Sequence, residues 1–253
     1  MSEILQNLRT DLAEYLGYRL TQTMEVIGDQ AKQQWDYECP ETIYERNDFY
    51  MQTEHYLGEC TDWHDRDEIL RQWSATLINA AKSHDFGLWT NVMDYGSGIA
   101  THSLALAEAN KTVNIMLADF DCPAMKFAKW KAEKYGLDID AHIFDPLVAV
   151  QPIPRLFDCI ICTDVIGHST NPYKMLLEIL THTRYVFWNS DFRVFPNDRY
   201  PMHCTKPPVW DWLWDNTTIN AAPFLYKSFL YRRTIQEVVD ALDLPERLNW
   251  IDI

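Results

Sequence analysis

Basic residues are scarce in this sequence. Its 253 residues include 22 Lys or Arg against 37 Asp or Glu, which gives a net charge of −15. The imbalance is strongest in residues 1–70, which hold 16 acidic side chains and five basic ones. Because such a surface repels phosphate backbones, a nucleic-acid partner is disfavoured.

Long apolar runs are also missing. No run of about 18 apolar residues occurs, so we expect no membrane-spanning helix. The first 20 residues carry acids where a signal peptide needs a basic and then an apolar stretch. We therefore expect a cytoplasmic protein.

Cysteine is sparse as well, since six residues are too few for a disulfide scaffold. Cys159 and Cys162 have the CxxC spacing, but they lie in the apolar segment FDCIICTDV, which is typical of a buried strand. We therefore predict reduced core thiols and no metal site.

The first third of the chain is predicted to be helical with an irregular middle. Apolar residues recur at helical spacing over 3–34 and again over about 66–83. Between them, residues 35–65 are aromatic, acidic and irregular. We treat residues 1–87 as an N-terminal helical extension, with Gly87 at the end of its last helix.

Strands and helices alternate from Leu88 onward. The apolar runs LWTNVMDY, VNIMLADF, IDAHIF, FDCIICTDV and YVFWN are separated by stretches of helical character at 101–110, 122–136 and 172–182. This alternation predicts an α/β fold, a Rossmann-like doubly wound and mostly parallel sheet. We expect one domain over 88–253, with a long ordered insertion over 191–217.

A glycine turn follows the first strand, in the segment VMDYGSGIATHSLALA. The strand is predicted to end in Asp94, the chain to turn at Gly96 and Gly98, and a helix to begin near Ala100. Glycine lets the backbone approach a ligand closely. Because Rossmann folds of every kind use such a turn, it identifies no ligand by itself.

Acidic residues end the next two strands as well. Asp119 follows the second strand and Asp145 the third, so three carboxylates including Asp94 are expected at the carboxyl edge of one sheet. An acid at the tip of the second strand suits both ribose hydroxyls of a nucleoside. Capping is the alternative, because Asp121 can cap the following helix and Asp145 can begin a turn.

The charge of these side chains separates the possible cofactors. A dinucleotide carries a pyrophosphate, which nearby carboxylates repel. S-adenosylmethionine carries an ammonium and a sulfonium and no phosphate, which suits Asp94 beside the glycine turn. Thr101 also stands where the dinucleotide fingerprint has its third glycine. We therefore favour S-adenosylmethionine over a nicotinamide cofactor.

Residues 88–190 resemble the class I S-adenosylmethionine-dependent methyltransferases. The segment DYGSG at 94–98 matches their first motif, and 157–168 matches their fourth-strand motif, with His168 where many members carry a histidine. The resemblance implies S-adenosylmethionine as cofactor. The residues assigned to it are Asp94, Gly96, Ser97, Gly98, Asp119, Phe120, Phe144, Asp145 and Asp164.

The resemblance also implies which part of the cofactor each residue binds. The glycine turn receives the methionine portion, Asp119 holds the ribose, and Asp145 with Phe144 meets the adenine. The third glycine of the first motif is Ala100 here. Alanine leaves room for the ligand provided that this position is already helical.

Two histidines are candidate bases, although methyl transfer needs a base only when the attacking atom carries a proton at neutral pH. His168 lies just past the fourth strand, and His203 lies in the insertion, where class I enzymes commonly build substrate contacts. A structural turn histidine and an exposed loop histidine are the alternatives. Asp164 ranks third, either orienting a base or touching the cofactor.

Residues 47–65 are a candidate lid over the cofactor. Tyr50 and Tyr56 would supply aromatic walls that exclude water, and a plain packing helix is the alternative.

The leading hypothesis is a methyltransferase that acts on oxygen or nitrogen of a small molecule. The alternatives are a protein methyltransferase, a non-catalytic S-adenosylmethionine-binding protein and, more distantly, a nicotinamide-dependent dehydrogenase. The fourth strand is followed by TDVI instead of an Asn-Pro-Pro-Tyr tetrapeptide, which argues against methylation of base amino groups. The sequence indicates neither the acceptor nor the oligomeric state.

Overall fold

The computed structural model describes residues 2–19, 30–169, 171–187, 217–219, 225–228 and 232. The chain divides into two compact units, Met1–Pro146 and Leu147–Ile253. Each unit is described by itself below. The functional division at residue 88 stays a prediction.

The first unit begins with a layer of helices. They are α1 (Glu3–Gln6), α2 (Leu8–Leu16), α3 (Gln30–Glu38), α4 (Ile43–Gln52), α5 (His55–Arg66) and α6 (Glu68–Lys82). A 3-10 turn, His84–Phe86, follows α6 and ends at Gly87, whose φ is 71°. None of the helices in the described part of the chain is long and apolar enough to cross a membrane.

The helix predicted over 66–83 is confirmed as α6, but the prediction of an irregular segment over 35–65 is wrong. Most of that segment is helical. One of its helices, α4, begins with a side-chain cap. At the start of α4, the Glu45 N–H donates to the Thr42 hydroxyl at 3.2 Å, and the Thr42 N–H donates to the Glu45 carboxylate at 2.9 Å. Such a capping box satisfies two backbone donors that the first turn leaves open.

The middle helices pack through aromatic side chains. Trp35 meets Phe49 edge to face with ring centroids 5.1 Å apart, and Tyr50 meets Tyr56 in the same way at 5.5 Å. We call these four residues the aromatic cluster. The Arg46 guanidinium lies 5.9 Å from the centroid of the Trp35 ring. Because large rings reach neighbours beyond one helix face, the positions of these residues do not repeat at the spacing of an amphipathic helix.

The first unit continues with alternating strands and helices. These are β1 (Asn91–Tyr95), α7 (Thr101–Ala109), β2 (Asn114–Asp119), α8 (Pro123–Lys134) and β3 (Ile139–Ile143). The strands are parallel in the order β3-β2-β1, with Val92 opposite Ile115 and Leu117 opposite Ala141. Each predicted element is present, within three residues of its predicted bounds. The parallel register brings the carboxyl ends of all three strands to one edge.

The second unit holds the remaining described elements. These are β4 (Phe157–Ile161), a 3-10 turn (Ile166–His168), α9 (Pro172–His182), β5 (Thr183–Phe187), β6 (Thr217–Ile219) and β7 (Leu225–Ser228). β4 and β5 are parallel, and β7 and β6 continue the order antiparallel to their neighbours. The predicted fold class, a Rossmann-like, doubly wound and mostly parallel α/β fold, is confirmed. Apart from Thr217, the predicted insertion at 191–217 lies outside the described residues.

The described cysteines differ in exposure. Cys159 in β4 and Cys162 just beyond it are buried, as are Cys60 and Cys122. Cys159 and Cys162 are thus core thiols, as their apolar surroundings predict. Cys39 is exposed and lies between α3 and α4.

Candidate functional site

The glycine turn after β1 is fixed to the neighbouring strand. Gly96 and Gly98 have φ values of 70° and 50°, a region that favours glycine. The N–H groups of Gly96 and Ser97 both donate to the Ala118 carbonyl of β2, at 2.8 and 3.1 Å. A Cβ placed on Gly98 would meet no described heavy atom within 4 Å. The turn is therefore rigid on one side and has open space on the other.

Asp119, at the end of β2, is held by the backbone around it. Its Oδ2 accepts from the Gly98 N–H and its Oδ1 from the Phe120 N–H, both at 2.7 Å. Each oxygen keeps a lone pair for a further donor, such as a hydroxyl. Burial raises the pKa of Asp119 to about 6, while the two N–H donors act in the opposite direction.

Asp94, in β1, is the second buried acid of the site. Its Oδ2 accepts from the Ser103 hydroxyl of α7 at 2.5 Å. Burial raises the pKa of Asp94 to about 7; the Ser103 hydrogen bond opposes this rise, and the charge of Asp119 adds to it. Two buried carboxylates that lie close enough to repel each other favour a cationic ligand and repel a diphosphate.

An aromatic wall stands beside Asp119. The buried Phe144 ring lies 4.9 Å from Tyr95 and 5.8 Å from Phe120 between ring centroids. The Phe144 N–H donates to the Asp119 carbonyl at 2.9 Å, which ties the end of β3 to the end of β2. Asp145 follows and is exposed. The structure therefore brings Asp94, the glycine turn and Asp119 together at one edge of the sheet, as predicted from the strand ends, with Phe120 and Phe144 beside Asp119.

Ala100 differs from expectation. The helix begins at Thr101, close to the predicted start near Ala100, but Ala100 does not meet the condition that it is already helical. As the residue before α7 it has a left-handed backbone, with a φ of 55° and a ψ of 36°.

The capping alternative for Asp121 is also wrong. The thiol of Cys122 caps α8 by accepting from the Met125 N–H at 3.4 Å. Asp121 lies 3.6 Å from the Lys126 ammonium on the surface. Burial raises the pKa of the Cys122 thiol to about 12, so this cap stays protonated.

Two further predicted residues lie in the segment after β4, in the second unit. Asp164 has a φ of 55°, which is uncommon for a residue other than glycine and is often found at constrained sites. His168 is half-buried and ends the 3-10 turn, with its N–H donating to the Val165 carbonyl at 3.0 Å. Their roles stay predictions, and His203 lies outside the described residues.

Sequence reasoning missed two residues of this region. Ser103 is a small residue in the first turn of α7. The only signal in the sequence for its hydrogen bond to Asp94 is that it lies five residues after Gly98. Asn47 donates from Nδ2 to the Pro146 carbonyl at 2.7 Å, a contact between residues 99 positions apart. A local sequence pattern cannot predict a contact between residues that lie so far apart in the chain.

Solved structures of three proteins are similar to this chain. A S-adenosylmethionine-dependent methyltransferase from Clostridium acetobutylicum is 19% identical, with 47% of this chain and 49% of that chain covered and a TM-score of 0.40. The mitomycin 7-O-methyltransferase is 13% identical (74% and 53% covered, TM-score 0.44). An O-methyltransferase family protein from Burkholderia thailandensis is 12% identical (70% and 61% covered, TM-score 0.45). The chain thus spans about half the length of the first of these proteins, and no curated protein sequence matches it.

The residues present fit S-adenosylmethionine. Asp94 offers a buried negative charge for its ammonium, Asp119 offers acceptors for two hydroxyls, and Gly98 borders open space. A family model described as a methyltransferase domain matches residues 89–224, more than half of the chain, and that range includes all three. This chain therefore belongs to the class I S-adenosylmethionine-dependent methyltransferase family.

Proposed function

We propose that the protein transfers the methyl group of S-adenosylmethionine to an oxygen or nitrogen atom of a small molecule. The observation that carries the cofactor half of this proposal is the pair of buried carboxylates, Asp94 and Asp119, beside the open glycine turn. When bound, S-adenosylmethionine supplies a methyl group already activated on a sulfonium.

In this proposal each part of the cofactor is bound at a different strand end of the first unit. The turn formed by Gly96, Ser97 and Gly98 receives the methionine portion, with Asp94 as the negative charge behind it. The lone pairs that remain on Asp119 accept from the ribose hydroxyls. Because the carboxylate already holds two backbone N–H groups, it is oriented before the ligand arrives, which reduces the entropy lost on binding.

The aromatic wall takes the adenine. Phe144 and Phe120 offer ring surface, and the exposed Asp145 accepts from the exocyclic amine. In the second unit, Asp164 and His168 act on the acceptor or the cofactor, with His168 as the base when the attacking atom carries a proton. His203 is retained as the second candidate base.

The N-terminal helices form the lid of the proposed enzyme, with residues 1–87 as extension and 88–253 as the cofactor-binding domain. Asn47 ties α4 to Pro146, directly after Asp145. Tyr50 lies nearly one helical turn beyond Asn47 and meets the Tyr56 ring at 5.5 Å. Because Tyr50 lies on the same side of α4 as Asn47, the two half-buried tyrosines support a narrow site for a small acceptor, whereas a polypeptide would need an open groove.

The cofactor site is tested with Asp119→Asn. We expect the affinity for S-adenosylhomocysteine, measured by calorimetry, to fall by about ten- to a hundredfold, because a hydrogen bond to a charged group contributes about 1.5–3 kcal/mol. Asp121→Asn is the matched control, since that acid is exposed and two residues away. Equal affinities in both variants would contradict the site.

The acceptor class is tested by release of S-adenosylhomocysteine from S-adenosylmethionine. Small phenols, alcohols and amines are compared with lysine-rich peptides under the same conditions. Turnover with a small molecule supports the proposal, and turnover with the peptides alone replaces it with a protein methyltransferase.

A further inference from the structure

Ser103 is buried in α7 and its hydroxyl faces a carboxylate. Its side chain is 0% exposed, and its Oγ lies 2.5 Å from Asp94 Oδ2 and 3.3 Å from the Ala100 carbonyl. A serine within a helix can donate its hydroxyl to the backbone carbonyl one turn earlier. Here the longer contact goes to that carbonyl and the shorter one to the acid, so the hydroxyl donates to Asp94.

The same unit contains a matched serine that lacks this partner. Ser74 of α6 is also 0% exposed, and its Oγ also lies 3.3 Å from the carbonyl of an earlier residue, Leu70. Its second partner is the His102 ring nitrogen Nδ1, at 2.8 Å. The two serines are therefore equally buried and each lies 3.3 Å from a backbone carbonyl, but they differ in the side chain they contact.

We propose that Ser103 is a positioning residue for cofactor binding, which favours the ionised form of Asp94 and holds its carboxylate toward the cationic end of S-adenosylmethionine. This inference rests on the proposed function, because it takes Asp94 to face the cofactor. It adds a residue of α7 to a site otherwise formed by strand ends and the turn.

The groups around Asp94 explain why one hydroxyl has such an effect. Burial and the charge of Asp119, on the neighbouring β2, both raise the pKa of Asp94, and the Ser103 hydrogen bond from α7 lowers it. His102, the neighbouring titratable residue of α7, is held by Ser74 instead. Without the Ser103 hydroxyl, both remaining influences favour the neutral acid, which offers no charge to a cation.

The first measurement is the pKa of Asp94 in the ligand-free protein, by NMR titration of labelled aspartate carboxyl carbons. We expect Ser103→Ala to raise this pKa by about one unit, and Ser74→Ala to leave it unchanged. Ser103→Thr keeps the hydroxyl and is expected to restore the original value. If Ser103→Ala does not fold, Ser103→Cys retains the volume with a weak donor and is expected to shift the pKa in the same direction.

The second measurement is the affinity for S-adenosylhomocysteine against pH. A pKa that moves from about 7 to about 8 lowers the ionised fraction of Asp94 roughly tenfold at pH 6 and less than twofold at pH 8.5. Ser103→Ala should therefore weaken binding about tenfold at pH 6 and little at pH 8.5. A loss of packing alone would weaken binding equally at both pH values.

The outcomes separate this inference from the proposed function. An unchanged Asp94 pKa in Ser103→Ala overturns the inference whatever the ligand does. If Asp94→Asn loses binding while Ser103→Ala binds as before at pH 6, the role of Ser103 is overturned and the cofactor site stands. If Asp94→Asn binds S-adenosylhomocysteine as tightly as the natural protein, Asp94 does not face the cofactor. The role of Ser103 and the proposed cofactor site are then both overturned.

Discussion

At the scale of single residues, Ala100 is held in a conformation that L-residues avoid. Its left-handed backbone costs about 1–2 kcal/mol, and its side chain is buried at 1% exposure. Ala100→Gly removes this cost but adds freedom to the unfolded chain, which offsets about 0.5–1 kcal/mol. Loss of the buried methyl group costs about 0.8 kcal/mol more, so we expect the free energy of unfolding, measured in urea, to change by less than about 0.5 kcal/mol.

The control for this change is the same substitution further along α7. Ala107 is helical and buried, so Ala107→Gly should lose about 1 kcal/mol. Destabilisation by Ala100→Gly as large as that by Ala107→Gly would show that the left-handed conformation is not a source of strain.

The residues predicted from the sequence share one property. Gly96, Gly98, Asp94 and Asp119 are marked by their place at the end of an apolar strand, and parallel strands bring their ends to one edge. The backbone of Ala100 and the hydrogen bond of Ser103 carry no such mark, since each depends on how the helix docks after the turn. Placement along the strands was therefore predictable, and the contacts that tune the acids were not.

At the scale of elements, the attachment of α4 to the end of the third strand is the feature with the clearest consequence. Asn47→Ala removes the hydrogen bond to Pro146. Loss of one neutral bond of about 1 kcal/mol should weaken binding of S-adenosylhomocysteine about fivefold and speed amide exchange across α4. Both are measurable, by calorimetry and by hydrogen exchange read by mass spectrometry.

Gln52→Ala provides the comparison within α4. Its side chain donates to Asp48 at 2.8 Å on the same helix, so the variant loses a similar bond without losing the attachment. Binding that weakens equally in both variants would show that general fraying of α4, and not its attachment at Pro146, is responsible.

The elements were predicted unevenly for a physical reason. α6 buries one apolar face, and β1 and β2 are short and largely buried apolar runs, so these elements are visible in the sequence. The helices of residues 35–65 rely on a capping box and on the aromatic cluster, whose rings do not follow a single helical period. Patterns of period 3.6 or 2 detect amphipathic elements and miss helices built in this way.

At the scale of the whole molecule, a buried lysine ties stability to pH. Lys131 is 0% exposed, and its ammonium lies 5.0 Å from the Phe127 ring, with no hydrogen-bond partner for Nζ among the described residues. Burial lowers its pKa to about 7, although the charge of Asp11 acts in the opposite direction. The unfolded chain, in which lysine has its ordinary pKa of about 10.4, binds this proton more readily.

Because of Lys131, the free energy of unfolding should therefore rise with pH. Between about pH 7 and 10 the unfolded state holds the proton and the folded state does not, so the free energy of unfolding gains up to about 1.4 kcal/mol per pH unit. We expect Lys131→Met to be more stable than the natural protein at pH 7, with the difference shrinking toward pH 10. Urea unfolding at several pH values measures it.

Lys126→Met is the control for this prediction, because Lys126 lies on the same helix with a side chain 53% exposed. Its stability should follow that of the natural protein at every pH. A Lys131→Met variant that is less stable at pH 7 would show that the amine is hydrogen-bonded and charged in the folded protein.

The contrast between the thiols has a practical consequence for testing the proposed lid. Cys39 is exposed where the chain passes from α3 to α4, whereas Cys122 is buried with a pKa of about 12. A maleimide dye will react at Cys39 and spare Cys122, because that reagent needs an accessible thiolate. Cys39 is therefore an attachment point for a fluorescent reporter beside α4, and a change in the dye's signal when S-adenosylhomocysteine is added would report movement of the proposed lid.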